Sequence, residues 1–237
     1  IVYSVSIVIE LITGLSFVYS VLILGLITIV YDVLGGIKAI IYSDIIQMII
    51  LTVVLIFILF YLTSIFGGFR SMFNYFPDQR NVNLNFFEHG LGDGKEFAFW
   101  PMLIGGFFLY MSYYGCDQSQ MQKALCAKNQ NEGQKVFFLN GIFRFPLVLL
   151  YCLIGVGIGS YSQINADFIS SLPKQDGIPN FNLAVPIFLI DNLPIGIVGL
   201  TLVALFSAAM SSLDSVLNSL SAVTMEDFVK RLSLIHI

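Results

Sequence analysis

Phe206-Ser207-Ala208-Ala209-Met210-Ser211-Ser212-Leu213-Asp214-Ser215-Val216-Leu217-Asn218-Ser219 sets hydroxyls, an amide and a carboxylate inside a run that is otherwise apolar from Pro194 to about Val223. Hydrocarbon offers such groups no partner, so polar and ionisable residues at bilayer depth mark an ion or solute path. On a helix, Ala208, Ser211, Ser212 and Ser215 follow the i, i+3, i+4, i+7 spacing and share one face. That face is rich in oxygen and nearly free of bulk, which suits a small hard cation. Ser211, Asp214, Asn218 and Ser221 form a second stripe beside it. Small hydroxyl residues also let helices pack closely and bond back to their own carbonyls. Packing does not need the charge of Asp214, however, so the carboxylate favours cation handling.

The 237 residues are 57% hydrophobic and 11% charged. That balance excludes an ordinary soluble domain and predicts an all-α polytopic membrane protein. The formal charge of −4 decides little here, because the placement of Lys and Arg carries the information. Cys116, Cys126 and Cys152 are an odd set without metal-ligand spacing, so neither a disulfide framework nor zinc is expected.

The chain opens at Ile1 inside an apolar run, which reads as the end of a helix and hence as a fragment. A second span is expected from Phe17 to Leu34, stopping at Gly35-Gly36, and a third from Ile37 to Phe66. Residues 67–96 read as a polar loop. The fourth span starts near Phe97 and loses its apolar character at Ser112 to Asp117. Asp117–Glu132 reads as a helix-compatible connector along the membrane surface, and the fifth span covers Gln134 to Ser160. A second polar loop, 161–182, leads to a short re-entrant or interfacial helix at Ala184–Ile190. Pro194, well placed to start a helix, opens the last span. The tail 232–237 lacks helical periodicity and is expected to lie outside the domain, as an assembly or frame artefact would.

Lys38, Lys123, Lys128, Lys135, Lys230 and Arg231 fall in short connections on one side, whereas Arg70, Arg80, Lys95 and Lys174 are spread over two long loops. Positive charge in short loops sets orientation, so the Gly35-Gly36 turn and the 117–132 connector are expected in the cytoplasm. Loops 67–96 and 161–182 are then outside.

Three further groups carry candidate chemistry. Asp44 lies eight residues beyond Gly36, roughly 10 Å along a helix, near the hydrocarbon edge. It is either a carboxylate reaching interfacial water or a cation ligand or proton carrier facing a cavity, with Gln47 one turn on. Arg144, nine residues beyond Lys135 and close to Pro146, is roughly 13 Å deep, where snorkelling is difficult. It can meet a solute group, or pair with a carboxylate such as Asp214 as a structural ion pair. Tyr110, Tyr113 and Tyr114 precede Gly115 and form either an interfacial aromatic belt or a stacking gate at a helix break. No P-loop, His-rich cluster or nucleophile elbow is present. Two in-span aspartates raise an intramembrane protease, which would bring Asp44 and Asp214 within hydrogen-bond distance; neither sits in a Gly-x-Gly-Asp context.

Tyr31-Asp32-Val33-Leu34-Gly35-Gly36-Ile37-Lys38, continuing to Asp44 and Gln47, is followed in order by Asp117-Gln118-Ser119-Gln120-Met121-Gln122-Lys123-Ala124-Leu125-Cys126-Ala127-Lys128. The segment from Leu205 to Arg231 completes the set. Together these resemble the sodium:solute symporter family, the group containing the sodium/glucose cotransporters, over nearly all of residues 1–231. The resemblance implies a partial inverted-repeat fold of leucine-transporter type, about six transmembrane helices running from the end of core helix 3 through core helix 8, with earlier and later helices missing. It implies a principal sodium site at Ala208 (through its carbonyl), Ser211 and Ser212, incomplete without the first core helix. A second cation site, found in some members, maps onto Asp44, Ser211, Asp214 and Ser215, with Asp214 where better-known members carry Ser or Thr. Tyr113 and Tyr114 fall on the inner gate and Tyr110 on a solute contact. Arg144 falls where sugar carriers use Lys, and its planar fork suits carboxylates.

The expectation is therefore sodium-coupled symport of a sugar, sugar acid or other small carboxylate across the cytoplasmic membrane, without enzymatic activity. Sodium is the coupling ion, no other cofactor is implied, and the partners are the solute, sodium and the bilayer, not nucleic acid. Proton coupling, and a transporter-like sensor domain of a signalling protein, are the alternatives.

Overall fold

A computed structural model describes residues 2–77, 86–87, 89–90, 98–175 and 177–231. Parts of the expected loop 67–96, including Arg80 and Lys95, and the tail 232–237 lie outside the described residues. The architecture is all-helical. α1 (Val2–Thr13) ends at Gly14, and α2 (Phe17–Ile65) is one long element broken at Gly36. There φ is +59° and ψ −174°, a conformation that only glycine adopts at low cost, so the chain turns and starts a second limb. The limbs span Phe17–Gly36 and Ile40–Ile65, and Tyr31 of the first bonds through its hydroxyl to the Ser43 hydroxyl of the second.

α3 (Phe69–Asn74) follows a Gly67-Gly68 turn with positive φ at both residues. α4 (Phe99–Cys116) and α5 (Gln118–Leu125) meet at Asp117. The Asp117 carboxylate caps α5 by accepting from the Ser119 backbone N–H at 2.8 Å. Its pKa is held below the usual carboxylate range, chiefly by the Ser119 hydroxyl that also donates to it. α6 runs from Gln130 to Ile164. It starts earlier than the hydropathy suggests because Asn129 accepts from the Glu132 N–H at 2.9 Å.

α6 also ends later than expected, taking the first turn of the 161–182 segment into helix. Nothing in Tyr161–Ile164 breaks it until Asn165 leaves helical geometry. The rest of that segment is α7 (Ala166–Ser171), a two-residue antiparallel pairing of β1 (Lys174–Gln175) with β2 (Ile178–Pro179), and a 3-10 turn at Phe181–Leu183. α8 (Ala184–Asn192) matches the expected short helix. α9 (Ile195–Val223) starts behind Pro194 and widens into a π turn at Thr224–Val229.

Four stretches are long and apolar enough to cross a bilayer: Phe17–Gly36, Ile40–Ile65, Gln130–Ile164 and Ile195–Val229. The 18-residue α4 and the 12-residue α1 fall short of that length or apolarity, so four of the about six expected transmembrane helices qualify as spans among the described residues. Leu22, Leu26, Phe60, Phe138, Phe145 and Val203 are exposed on the bundle surface, where hydrocarbon and not water is the fitting solvent. The chain is an integral membrane protein.

Two apolar clusters hold the bundle. The larger joins the second limb of α2 to α6, α7, α8 and α9 through Val54, Ile58, Leu62, Ile154, Phe168, Phe188 and Ala204. Here α2 and α6 approach closely: a Cβ on Gly157 would stand 2.9 Å from Leu62 Cδ1 and 3.1 Å from Met72 Sδ. The smaller cluster packs Val5 and Ile9 of α1 and Leu24 of α2 against Ala209 of α9. Beyond both clusters along α9, Asp214, Ser215 and Asn218 come against the residues on either side of the break in α2.

Candidate functional site

The oxygen-rich face of α9 forms as a face and is directed inward. Ser207, Asp214, Ser215 and Ser219 are buried, and Ala208, Ser211 and Ser212 are half-buried. Its hydroxyls bond back along the helix: Ser212 Oγ donates to the Ala208 carbonyl at 3.1 Å, Ser215 Oγ to that of Ser211 at 2.9 Å, and Ser219 Oγ to that of Ser215 at 2.8 Å. These are the bonds expected of hydroxyls without a better partner. A cation at the Ala208 carbonyl would replace the first of them, turning the Ser212 oxygen from donor to ligand. Such a site is built from neutral oxygens. Among the described residues no group of three or more His, Cys, Asp or Glu side chains converges to hold a metal ion. The three cysteines are free and exposed.

Asp214 is 0% exposed, and both its carboxylate oxygens lack a hydrogen-bond partner. It faces Asp32 of the first α2 limb within hydrogen-bonding reach, and feels Asp44 and Lys123 at longer range. Asp44, on the second limb, is drawn to the connector helix: its Oδ2 accepts from Lys123 Nζ at 2.5 Å. Its Oδ1 is buried without a partner, as is Gln47 Oε1. α5 is thus strapped across both α2 and α9, since Ser219 Oγ also reaches Gln122 Oε1 at 3.3 Å. Ile40, Ser119, Gln122, Lys123, Ser215 and Asn218 line a small cleft in that seam.

The aromatic group assembles separately. Arg144 of α6 donates to the Tyr114 hydroxyl, and its guanidinium carbon lies 5.1, 6.0 and 5.8 Å from the ring centroids of Tyr110, Tyr113 and Tyr114. Tyr110 and Tyr114 stack one turn apart at 6.3 Å, and Tyr113 meets Tyr114 edge-on at 5.2 Å. Tyr114 donates in turn to Asn140 Oδ1 at 3.0 Å, and Gln120 Nε2 donates to the Tyr113 hydroxyl at 2.8 Å. The expected alternative of an Arg144–Asp214 ion pair is not formed. Arg144 meets α4, whose tyrosines offer π faces and a hydroxyl, while Asp214 meets α2. Among the described residues no carboxylate pairs with Arg144, and its Nε has no partner.

The residues named from sequence therefore form two groups, Asp44 with Ala208–Ser215 and Arg144 with the tyrosines. Asp32, Lys123 and the Tyr31–Ser43 contact were not assigned a role there. A signal for Asp32 existed: it is a third in-span aspartate, four residues before Gly36, opposite Asp44 across the break. The close approach of Asp214 is to Asp32, and Asp44 instead holds an ammonium, which is not the arrangement a protease pair of Asp44 and Asp214 requires.

Comparison with known proteins places the chain in a family. The chain is 29% identical to the sodium-dependent multivitamin transporter of Oryctolagus cuniculus, over 97% of this chain and 35% of that protein. It is 27% identical to the sodium-coupled monocarboxylate transporter 2 of Homo sapiens, over 97% of this chain and 36% of that protein. A putative sodium-dependent multivitamin transporter of Drosophila melanogaster is 26% identical, over 98% of this chain and 38% of that protein. The chain thus spans a little over a third of the length of the curated relatives it matches. The model of the sodium:solute symporter family matches residues 2–234, so the chain belongs to that family of transporters.

Proposed function

We propose that the protein carries out sodium-coupled symport of a small carboxylate-bearing solute, with residues 1–231 supplying part of the transport domain. One observation carries the choice of solute class. The Arg144 guanidinium is framed by Tyr110, Tyr113 and Tyr114, and among the described residues it has no carboxylate counter-ion. A planar cationic fork between aromatic faces binds a carboxylate in two parallel hydrogen bonds while the rings cover its apolar remainder. Relatives named for monocarboxylate and multivitamin transport support the same class over a neutral sugar. Sodium is held by the Ala208 carbonyl with Ser211 and Ser212, completed by residues outside this chain, and a second cation by Asp44, Ser211, Asp214 and Ser215. Binding of both ligands in one bundle lets the sodium gradient drive the solute inward by alternating access. The Gly35-Gly36 turn and α5 face the cytoplasm of a plasma-membrane protein, with the 67–96 and 161–182 segments outside.

The test is uptake by the full-length protein in liposomes, with radiolabelled lactate and glucose offered under a sodium gradient and with choline in its place. The expected result is sodium-dependent lactate uptake that Arg144→Gln abolishes. Uptake unchanged in choline overturns the sodium coupling, and a response to an imposed pH jump would then assign the coupling to protons. Glucose uptake exceeding lactate overturns the solute class.

A further inference from the structure

Among the described residues, the seam between α2 and α9 buries more carboxylates than the Lys123 ammonium balances. Asp32 and Asp214 approach each other there, Asp44 acts on them from further off, and Lys123 is committed to Asp44 at 2.5 Å. The remaining two carboxyls face each other, and all four of their oxygens are buried without a hydrogen-bond donor. Around them α2 also presents Tyr31, whose hydroxyl is taken by Ser43. α1, packed on the same stretch of α9, keeps its Glu10 on an exposed position, and Glu226 and Asp227 of the terminal π turn are exposed too. Two facing carboxylates removed from water repel one another and lose their hydration, a cost that neither packing nor the surrounding hydroxyls offset. A positive charge between them removes both penalties.

We propose that Asp32 and Asp214 are the paired carboxylate ligands of a sodium ion, so that the second cation site is centred on the crossing of α9 with the first limb of α2. Asp44, neutralised by Lys123, stands beside that ion as a positioning group. The donors are all oxygen, the chemistry that selects hard cations over thiophilic ones. The ion bridges α2 and α9 immediately before the Gly36 break, so its arrival fixes the angle between those helices. This assignment rests on the sodium-coupled reading given above; it adds Asp32 to the second cation site and moves Asp44 there from ligand to positioning group.

Equilibrium binding of radioactive sodium to the purified full-length protein in nanodiscs tests it without any transport measurement. Asp32→Asn and Asp214→Asn should each remove one bound ion per protein, or weaken it about 100-fold or more, and the double variant should be no worse than either single one. Asp44→Asn should weaken that ion by a smaller factor. Should Asp32→Asn fail to fold, Asp32→Ser, which keeps an oxygen at the position, is expected to lose the same ion. If Asp32 variants bind sodium like the wild type while Ser212→Ala weakens binding, this site is overturned and the sodium-coupled reading stands. If the wild type binds no sodium, both fall. Displacement of the bound sodium by equimolar calcium overturns the assignment in favour of a divalent site.

Discussion

Around Leu62 and Phe188 the buried oxygens are satisfied. Tyr61 donates its hydroxyl to the Asn192 carbonyl at 2.5 Å, Tyr161 donates to Asn192 Oδ1 at 2.9 Å, and Ser160 donates to the Met72 carbonyl at 2.7 Å. At the crossing of α2 with α9, a comparable depth of burial leaves both carboxylate oxygens of Asp32 and of Asp214, and one of Asp44, without a donor. The first region is a closed structural core in which polar groups were buried with their partners. The second retains carboxylates without a donor, and under the proposal made above their partner is a sodium ion from solution. The satisfied bonds tie α2 and α6 to α8 and α6 to α3, whereas the unsatisfied carboxylates lie on α2 and α9.

The comparison breaks most visibly if the core is not independent of the ion. Phe188 is fully buried and meets Tyr161 edge-on at 4.9 Å and Phe168 at 6.4 Å. Phe188→Ala should lower stability by about 3–5 kcal/mol through the cavity it leaves. Thermal unfolding in detergent should give the same loss with and without sodium. A loss that sodium restores would merge the two regions into one.

Asp214→Asn should act with the opposite sign. Removing an unpaired buried charge stabilises the sodium-free protein by about 1–4 kcal/mol, and saturating sodium should erase that advantage by stabilising the wild type alone. A variant less stable than wild type in sodium-free buffer would mean that Asp214 already has a partner in the apo fold. Tyr61→Phe belongs to the other region and should cost about 1 kcal/mol in either buffer, the net worth of its bond to the Asn192 carbonyl.

The spans, the break at Gly36 and the start at Pro194 were legible because local chemistry decides them: apolar runs, a glycine pair and a proline at a helix start. The clustering of Tyr110, Tyr113 and Tyr114 was legible for the same reason, since helical spacing brings them together. The partners of Asp214 and Arg144 were not. Asp44 and Lys123 are separated by 79 residues, and Arg144 and Tyr114 by 30. Which side chains meet across such separations depends on how the limbs of α2 cross α9 and how α6 lies on α4, and no periodicity encodes a crossing. Asp32 shows the cost of reading the helices singly. On its own limb it is one carboxylate near a turn, and only the crossing gives it Asp214.

The smallest expected effect concerns the strap that ties the seam to the surface. Asp117 caps α5 by accepting from the Ser119 N–H and hydroxyl, which holds its carboxyl below the usual range. A depressed pKa means that the folded state prefers the charged form. The cap therefore contributes at all pH values above the ordinary aspartate range and is lost as pH falls through the lowered value. Asp117→Ala should cost roughly 0.5–1 kcal/mol near neutrality. The gap between variant and wild type should close in acid, read as converging unfolding midpoints at about pH 3 and below. Because α5 carries Lys123 to Asp44, the same variant should also weaken sodium binding slightly at neutral pH, whereas Tyr61→Phe should not. A sodium affinity unmoved by loss of the cap would place the strap outside the seam, and leave Asp32 and Asp214 to hold the ion without it.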